Sequence, residues 1–171
     1  MRAGALFLVF GLFVDVYGAS LKDLIEALNT TQPIWLYNQS YENSPEAPGR
    51  TCLRWNKKNL SRSSYDFVNG FKREDDAEED VNATLHDMSG TGVMEVNYER
   101  EGKEPTHVYY TLDHWYPDEK CFILTRNING HYACELHLWN DNRKGSHKRC
   151  DERYEDICPE GPPVFSEDKC M

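Results

Sequence analysis

The chain has 171 residues, a formal net charge of −10 at pH 7 and six cysteines. An acidic chain lacks the basic surface with which proteins bind nucleic acids, and its length suits a single domain. An even number of cysteines is typical of proteins that fold in an oxidising compartment. These properties predict a single extracellular domain and exclude little about its fold.

Residues 1–18 have the features of a secretory signal peptide. A positive charge and an apolar run over residues 5–14 precede Val16 and Gly18, which suit the positions before a cleavage site. The apolar run is too short to span a bilayer, and no later run is long enough. We therefore expect a secreted domain of residues 19–171 with no membrane span.

Helical patterns occur only towards the two ends of this domain. Residues 20–28 carry apolar side chains at helical spacing, with Ser20 as the N-cap and Asp23 placed to complete a capping box. A second helix is predicted from an N-cap at Ser146 to about Cys158, where a following proline ends it.

About eight short strands, separated by turn residues, are predicted between the helices. They cover residues 34–41, 51–55, 65–71, 84–88, 93–98, 106–115, 122–125 and 132–139. The segment 106–115 is the longest, and the acidic segment 73–80 is interpreted as a solvated loop. The pattern predicts a mainly β protein, as an antiparallel meander, a sandwich or a closed barrel.

The clearest local signal is a hairpin near the C-terminal end. Asn129 and Gly130 favour a tight turn because both residues tolerate positive φ. The strand after the turn alternates two sets of bulky side chains. Cys134, Leu136 and Leu138 lie on one face, and Glu135, His137 and Trp139 lie on the other. We expect one face to pack on the second helix and the other to face a cavity.

Spacing alone leaves open all 15 pairings of six cysteines. One pair has a geometric argument, because Cys158 comes within reach of Cys134 if that face of the strand packs on the second helix. Four glycosylation sequons are present, at Asn29, Asn38, Asn59 and Asn82. We expect glycans on at least two of them and least of all at Asn38, which lies in the first predicted strand.

The sequence contains none of the common motifs of serine hydrolases, zinc proteases, P-loop enzymes or CxxC oxidoreductases. The six histidines are scattered, and no set of three or four converging zinc ligands can be chosen from them. We therefore predict that the protein is not an enzyme, and we expect neither a metal site nor a cofactor.

The segment 132–139, Tyr-Ala-Cys-Glu-Leu-His-Leu-Trp, with Cys150, Cys158 and a terminal Asp-Lys-Cys, resembles the salivary lipocalins of ticks, the histamine-binding protein family. The likeness spans the whole mature chain, and residues 110–115 look closest to the japanin-like members. It implies an eight-stranded antiparallel lipocalin barrel with a short N-terminal helix and a C-terminal helix packed outside. It also implies the disulfides Cys52–Cys170 and Cys121–Cys150, which leaves Cys134–Cys158.

The resemblance also implies a ligand site inside the barrel. Glu135 matches a carboxylate with which family members bind histamine, and His137 stands where the amine binders have tryptophan. Tyr41, Tyr98 and Tyr110 match aromatic positions of that site. Residues 44–47 lack the aspartate and tryptophan that complete it, and an ammonium buried beside a single acid is poorly compensated.

These expectations lead to two ligand hypotheses. The first is a secreted, monomeric lipocalin that binds a small hydrophobic ligand of the sterol or fatty-acid type and modulates host immune cells, such as dendritic cells, with an immune-cell receptor as partner. In this hypothesis Glu135, His137 and Tyr110 orient the ligand. The alternative is a scavenger of histamine, serotonin or eicosanoids that suppresses host inflammation.

Overall fold

A computed structural model describes residues 18–42, 44–46, 48–99, 102, 104–162 and 164–171. Eight antiparallel strands follow each other in sequence order around a closed barrel, and the first also pairs with the eighth. They are β1 (Ile34–Gln39), β2 (Thr51–Leu60), β3 (Ser64–Lys72), β4 (Asp76–Met88), β5 (Thr91–Tyr98), β6 (Thr106–Tyr116), β7 (Cys121–Ile128) and β8 (His131–Trp139). The predicted eight-stranded barrel is confirmed.

In the part of the chain that the structure describes, three α-helices accompany the barrel: α1 (Leu21–Leu28), α2 (Lys148–Ile157) and the short α3 (Glu167–Cys170), which was not predicted. A 3-10 turn, Asn140–Asn142, follows β8. None of the helices in the described residues is long and apolar enough to cross a membrane. The predicted signal peptide lies outside the described residues except for Gly18, so it stays a prediction.

Helix α1 closes one end of the barrel. It begins with the predicted capping box, in which Ser20 and Asp23 exchange two hydrogen bonds of 3.1 Å. Leu24 and Leu28 are fully buried and belong to the same apolar cluster as the inward side chains of the strands. Gly92 permits the close approach, because a Cβ there would lie 2.7 Å from the Ser20 carbonyl oxygen. Access to the interior is therefore left at the opposite end.

Helix α2 packs outside β7 and β8, as predicted. The outward side chains of β8 join it in a second apolar cluster, which contains Cys121, Ile123, Cys134, Leu136, Leu138, Cys150 and Tyr154. The predicted N-cap at Ser146 is wrong, because the helix begins at Lys148 with His147 as its N-cap. The backbone N–H groups of Arg149 and Cys150 donate to the Glu119 carboxylate, which caps the first turn from a distant loop.

Three disulfides tie the chain together, and they are the pairs that the family resemblance implies: Cys52–Cys170, Cys121–Cys150 and Cys134–Cys158. The first joins α3 to the start of β2 across 118 residues of sequence. On the way to α3, the Phe165 ring packs on Trp35 and Tyr37 at centroid distances of 5.2 and 5.6 Å. The C-terminal segment is thereby fixed against the outside of β1.

The interpretation of residues 73–80 as a loop is wrong from Asp76 onwards. Residues 76–80 pair with residues 68–72 of β3, which makes β4 the longest strand, at 13 residues, in place of the predicted 106–115. Glu79 binds Arg50 at 2.5 Å, and Asp80 binds Lys58 at 3.1 Å. Backbone pairing and these ion pairs outweigh the low strand propensity of acidic residues.

The four sequons differ in exposure, and this predicts which of them carry glycans. Asn29, Asn59 and Asn82 are exposed, whereas Asn38 is half-buried within β1. The Asn82 amide also donates to Asp66 at 2.6 Å, so we expect the highest occupancy at Asn29 and Asn59. Glycopeptide mass spectrometry on protein secreted from insect cells measures this. A glycan at Asn38 with Asn29 and Asn59 unmodified would contradict it.

Candidate ligand-binding site

The end of the barrel opposite α1 contains a small cavity. All five residues predicted to bind a ligand line it, and they come from different elements: Tyr41 from the segment after β1, Tyr98 from β5, Tyr110 from β6, and Glu135 and His137 from β8. The predicted inward face of β8 is therefore the face that reaches the cavity. The structure brings the five side chains together, and their role in binding stays a prediction.

Glu135 is the buried charge at the centre of this cluster. Its Oε1 lies 3.0 Å from Nε2 of His137, and its Oε2 accepts a hydrogen bond of 2.5 Å from the Tyr41 hydroxyl. Burial acts to raise the pKa of Glu135, but the hydrogen bonds from His137 and Tyr41 and the positive charge of Arg126 hold the pKa below its ordinary value. The cavity therefore contains an ionised carboxylate at neutral pH.

Aromatic packing fixes His137 in position. Its ring lies between those of Trp55 and Phe122, at centroid distances of 4.4 and 5.1 Å. Within the described part of the chain, Nδ1 of His137 is buried without a hydrogen-bond partner. Buried polar atoms without partners are rare in folded proteins. One nitrogen of the imidazole thus orients Glu135, and the other is placed to form a hydrogen bond with a further group.

The tyrosines of the cavity act as neutral hydrogen-bonding groups. Burial raises the pKa of Tyr41, Tyr98 and Tyr110 above the ordinary value, and the charge of Glu135 raises it further. Their hydroxyl groups therefore stay protonated, and their rings supply the walls of the site.

Sequence reasoning missed a charged pair next to the cavity, Arg126 with Glu46, which contacts the lining residue Tyr110. The guanidinium donates to the two oxygens of Glu46 at 2.6 and 3.2 Å and to the Tyr110 hydroxyl at 3.4 Å. The side chains of Arg126 and Glu46 are only 6% and 11% exposed. Burial acts to raise the pKa of Glu46, but hydrogen bonds from Arg126 and Ser44 lower it. Glu46 is therefore a second, largely buried acid close to the cavity, which was not predicted from the sequence.

The alternation along β7 could have revealed Arg126, because it follows Phe122 and Leu124 on the inward face. No comparable signal exists for Glu46. It lies in an irregular segment, and its partner Arg126 is 80 residues away in the sequence.

Comparison with known proteins gives a family assignment. Residues 17–171 match the family model described as tick histamine binding protein. This chain belongs to the tick histamine-binding protein family. Japanin from Rhipicephalus appendiculatus, solved bound to cholesterol, is similar in structure, with a TM-score of 0.55 and 14% identity over 81% of this chain and 95% of that chain. Lobster apocrustacyanin A1 has a TM-score of 0.45 and 13% identity over 86% and 91% of the two chains.

No curated protein sequence matches the chain. At 14% identity, the likeness to japanin shows a shared lipocalin fold alone. What this tick lipocalin binds must therefore be argued from its own cavity.

The cavity of this tick lipocalin is too small for a sterol in the observed arrangement. Its volume is about 40 Å³, space for a few water molecules, whereas sites for drug-sized ligands occupy roughly 300–1,000 Å³. Large aromatic side chains fill the barrel between the cavity and α1: Trp55, Tyr65, Phe67, Trp115 and Phe122. In the observed arrangement these rings occupy much of the barrel interior, and the expectation of a sterol-type ligand stays a prediction.

In the described residues, one group of side chains has the spacing of metal ligands, namely Glu119, Cys121 and Cys150. The two cysteines are bonded to each other in a disulfide. They offer no thiolate, so we do not assign a metal to this group.

Proposed function

We propose that this tick lipocalin is a secreted, non-enzymatic binding protein that takes up a small amine at the mouth of its barrel and so removes a host mediator of inflammation. The observation that carries the proposal is the buried, ionised carboxylate of Glu135 among aromatic rings. The three disulfides and the family membership support secretion.

The charges around the cavity favour one positive group on the ligand. Arg126 is paired with Glu46, whereas the partners of Glu135 are His137 and the neutral hydroxyl of Tyr41. An ammonium group that replaces this hydroxyl brings a full positive charge to Glu135. A buried carboxylate is stabilised most by a charged, hydrogen-bonded partner. Trp55, Tyr98 and Tyr110 line the same cavity, and the faces of aromatic rings attract cations.

The size of the site favours a ligand with one ring or a fused pair of rings. The group that now donates to Glu135 is a phenol, the side chain of Tyr41. If this ring withdraws, the site gains the volume of a single aromatic ring with a polar group. That space suits histamine or serotonin and is far too small for the four fused rings of a sterol.

Calorimetry with histamine, serotonin, cholesterol and arachidonate tests the proposal. We expect at least one amine to bind with a dissociation constant of about 1 μM or lower, and cholesterol to give no measurable heat of binding. Cholesterol binding tighter than that of both amines would overturn the proposal in favour of the second candidate.

The second candidate is a lipid carrier of the sterol or fatty-acid type that modulates host immune cells through a receptor. Arg126 favours it, because within the described residues its buried Nε has no hydrogen-bond partner. Arg126 also lies 3.4 Å from the Tyr110 hydroxyl, and together these groups would hold a carboxylate or hydroxyl head group. The aromatic rings below the cavity would have to separate to admit the apolar part.

A further inference from the structure

We propose that Tyr41 is a built-in competitor for the ligand site: its hydroxyl occupies Glu135 at the barrel mouth, a ligand has to displace it, and Glu46 holds it in place through Arg126. The inference rests on the proposed function of Glu135 as the ligand anchor. Tyr41 thereby has a role opposite to that of a ligand contact, because removal of its hydroxyl group would strengthen ligand binding.

Tyr41 and Glu46 belong to the segment between β1 and β2, of which the structure describes residues 40–42, 44–46 and 48–50 and which we call the entrance segment. Its first residue is anchored to the barrel wall, where Ser40 Oγ accepts a hydrogen bond of 2.8 Å from the backbone of Cys134. Beyond this anchor, Tyr41 reaches inward to Glu135 at 2.5 Å, and Glu46 reaches inward to Arg126 at 2.6 Å. The entrance segment is thus fixed to the interior at two charged points.

The contacts of Glu135 show why Tyr41 competes with a ligand. The two carboxylate oxygens have one short partner each, His137 on Oε1 and Tyr41 on Oε2. The rings of Trp55 and Phe122 hold His137 in place, whereas Tyr41 belongs to an irregular segment. An incoming ammonium therefore replaces the Tyr41 hydroxyl on Oε2. A tethered competitor lowers the apparent affinity by the fraction of molecules in which it is bound.

The Arg126–Glu46 pair holds the entrance segment in the position from which Tyr41 competes with a ligand. Both side chains are largely buried, and separating a buried ion pair without a replacement partner is strongly unfavourable. Arg126 also lies over the rings of Tyr41 and Tyr110, at 5.9 and 5.4 Å from their centroids. Glu46 therefore stabilises the arrangement in which Tyr41 occupies Glu135.

A binding measurement separates a competitor from a ligand contact. We expect Tyr41→Phe to bind histamine about tenfold more tightly than the wild-type protein, because the ring remains while its hydrogen bond to Glu135 is lost. Tyr132→Phe is the matched control, since Tyr132 is exposed on the outside of β8. Unchanged or weaker histamine binding by Tyr41→Phe would overturn the inference.

A second measurement needs no ligand. We expect Glu46→Gln to accelerate amide hydrogen exchange in peptides covering residues 40–50 by about tenfold or more, because one of the two attachments is weakened. Glu42→Gln removes the same charge from an exposed position of the segment and should exchange like the wild-type protein. Equal exchange in the two variants would refute the inference. Absence of both histamine and serotonin binding in all forms would refute the proposed function and leave this exchange result to decide the inference.

Discussion

Glu135→Gln is expected to weaken histamine binding by at least about a hundredfold. Loss of one partner of a buried charge pair typically costs about 2–5 kcal/mol of binding free energy, and glutamine removes the charge while keeping the shape and the acceptor oxygen. Calorimetry gives the affinity, and thermal unfolding verifies that the variant is folded. Glu95→Gln is the control, since Glu95 faces outward on β5 and binds His86 and Tyr109. A loss of less than about threefold would contradict the assignment of Glu135 as the anchor.

The proposed contact between the Glu135 carboxylate and the amine of the ligand gives binding a defined pH dependence. Because its interactions lower the pKa of Glu135 in the folded protein, the carboxylate stays ionised below the pH at which a free glutamate takes up a proton. Its contribution to stability is present above the unfolded pKa and is lost as the pH falls through the folded pKa. Serotonin, whose amine remains charged throughout this range, should keep its affinity from neutral pH into mild acid and lose it only below the folded pKa.

Removal of the Cys52–Cys170 disulfide, as Cys52→Ala with Cys170→Ala, is expected to lower the free energy of unfolding by about 5 kcal/mol. This bond closes the longest loop of the three, with a sequence separation of 118, and the chain-entropy model relates stabilisation to loop length. Denaturation in urea, followed by circular dichroism, measures the loss.

The control for this prediction is the equivalent double substitution at Cys121 and Cys150, whose sequence separation is 29. The same model predicts a loss that is about 1 kcal/mol smaller. If the Cys121–Cys150 variant loses more stability than the Cys52–Cys170 variant, loop length does not determine the stabilisation in this protein.

Features that depend on local sequence were predictable. The capping box of α1 uses residues three positions apart, and the turn at Asn129 and Gly130 needs positive φ values, which the structure has at 51° and 84°. The two faces of β8 follow from the alternation of side chains along a strand. For these elements, the residues that form the structure are neighbours in the sequence.

Features that depend on distant partners were not predictable from local patterns. The acidic residues 76–80 form a strand because β3 offers its backbone to them, and the first turn of α2 is capped by Glu119 rather than by Ser146. The charged pair next to the cavity joins Glu46 and Arg126 across 80 residues. The resemblance to tick lipocalins supplied the barrel and Glu135, but it did not indicate how much of the interior the aromatic side chains fill.

Strand β8 divides two tasks between its faces. Cys134, with Leu136 and Leu138, binds the outer helix, whereas Glu135 and His137 face the cavity. Under the proposed function, a mutation at Glu135 or His137 changes ligand preference while the disulfide and apolar contacts that attach the outer helix remain intact. Related proteins that descend from one gene can then differ in the ligand that they bind through residues 135 and 137, while residues 134, 136 and 138 stay the same.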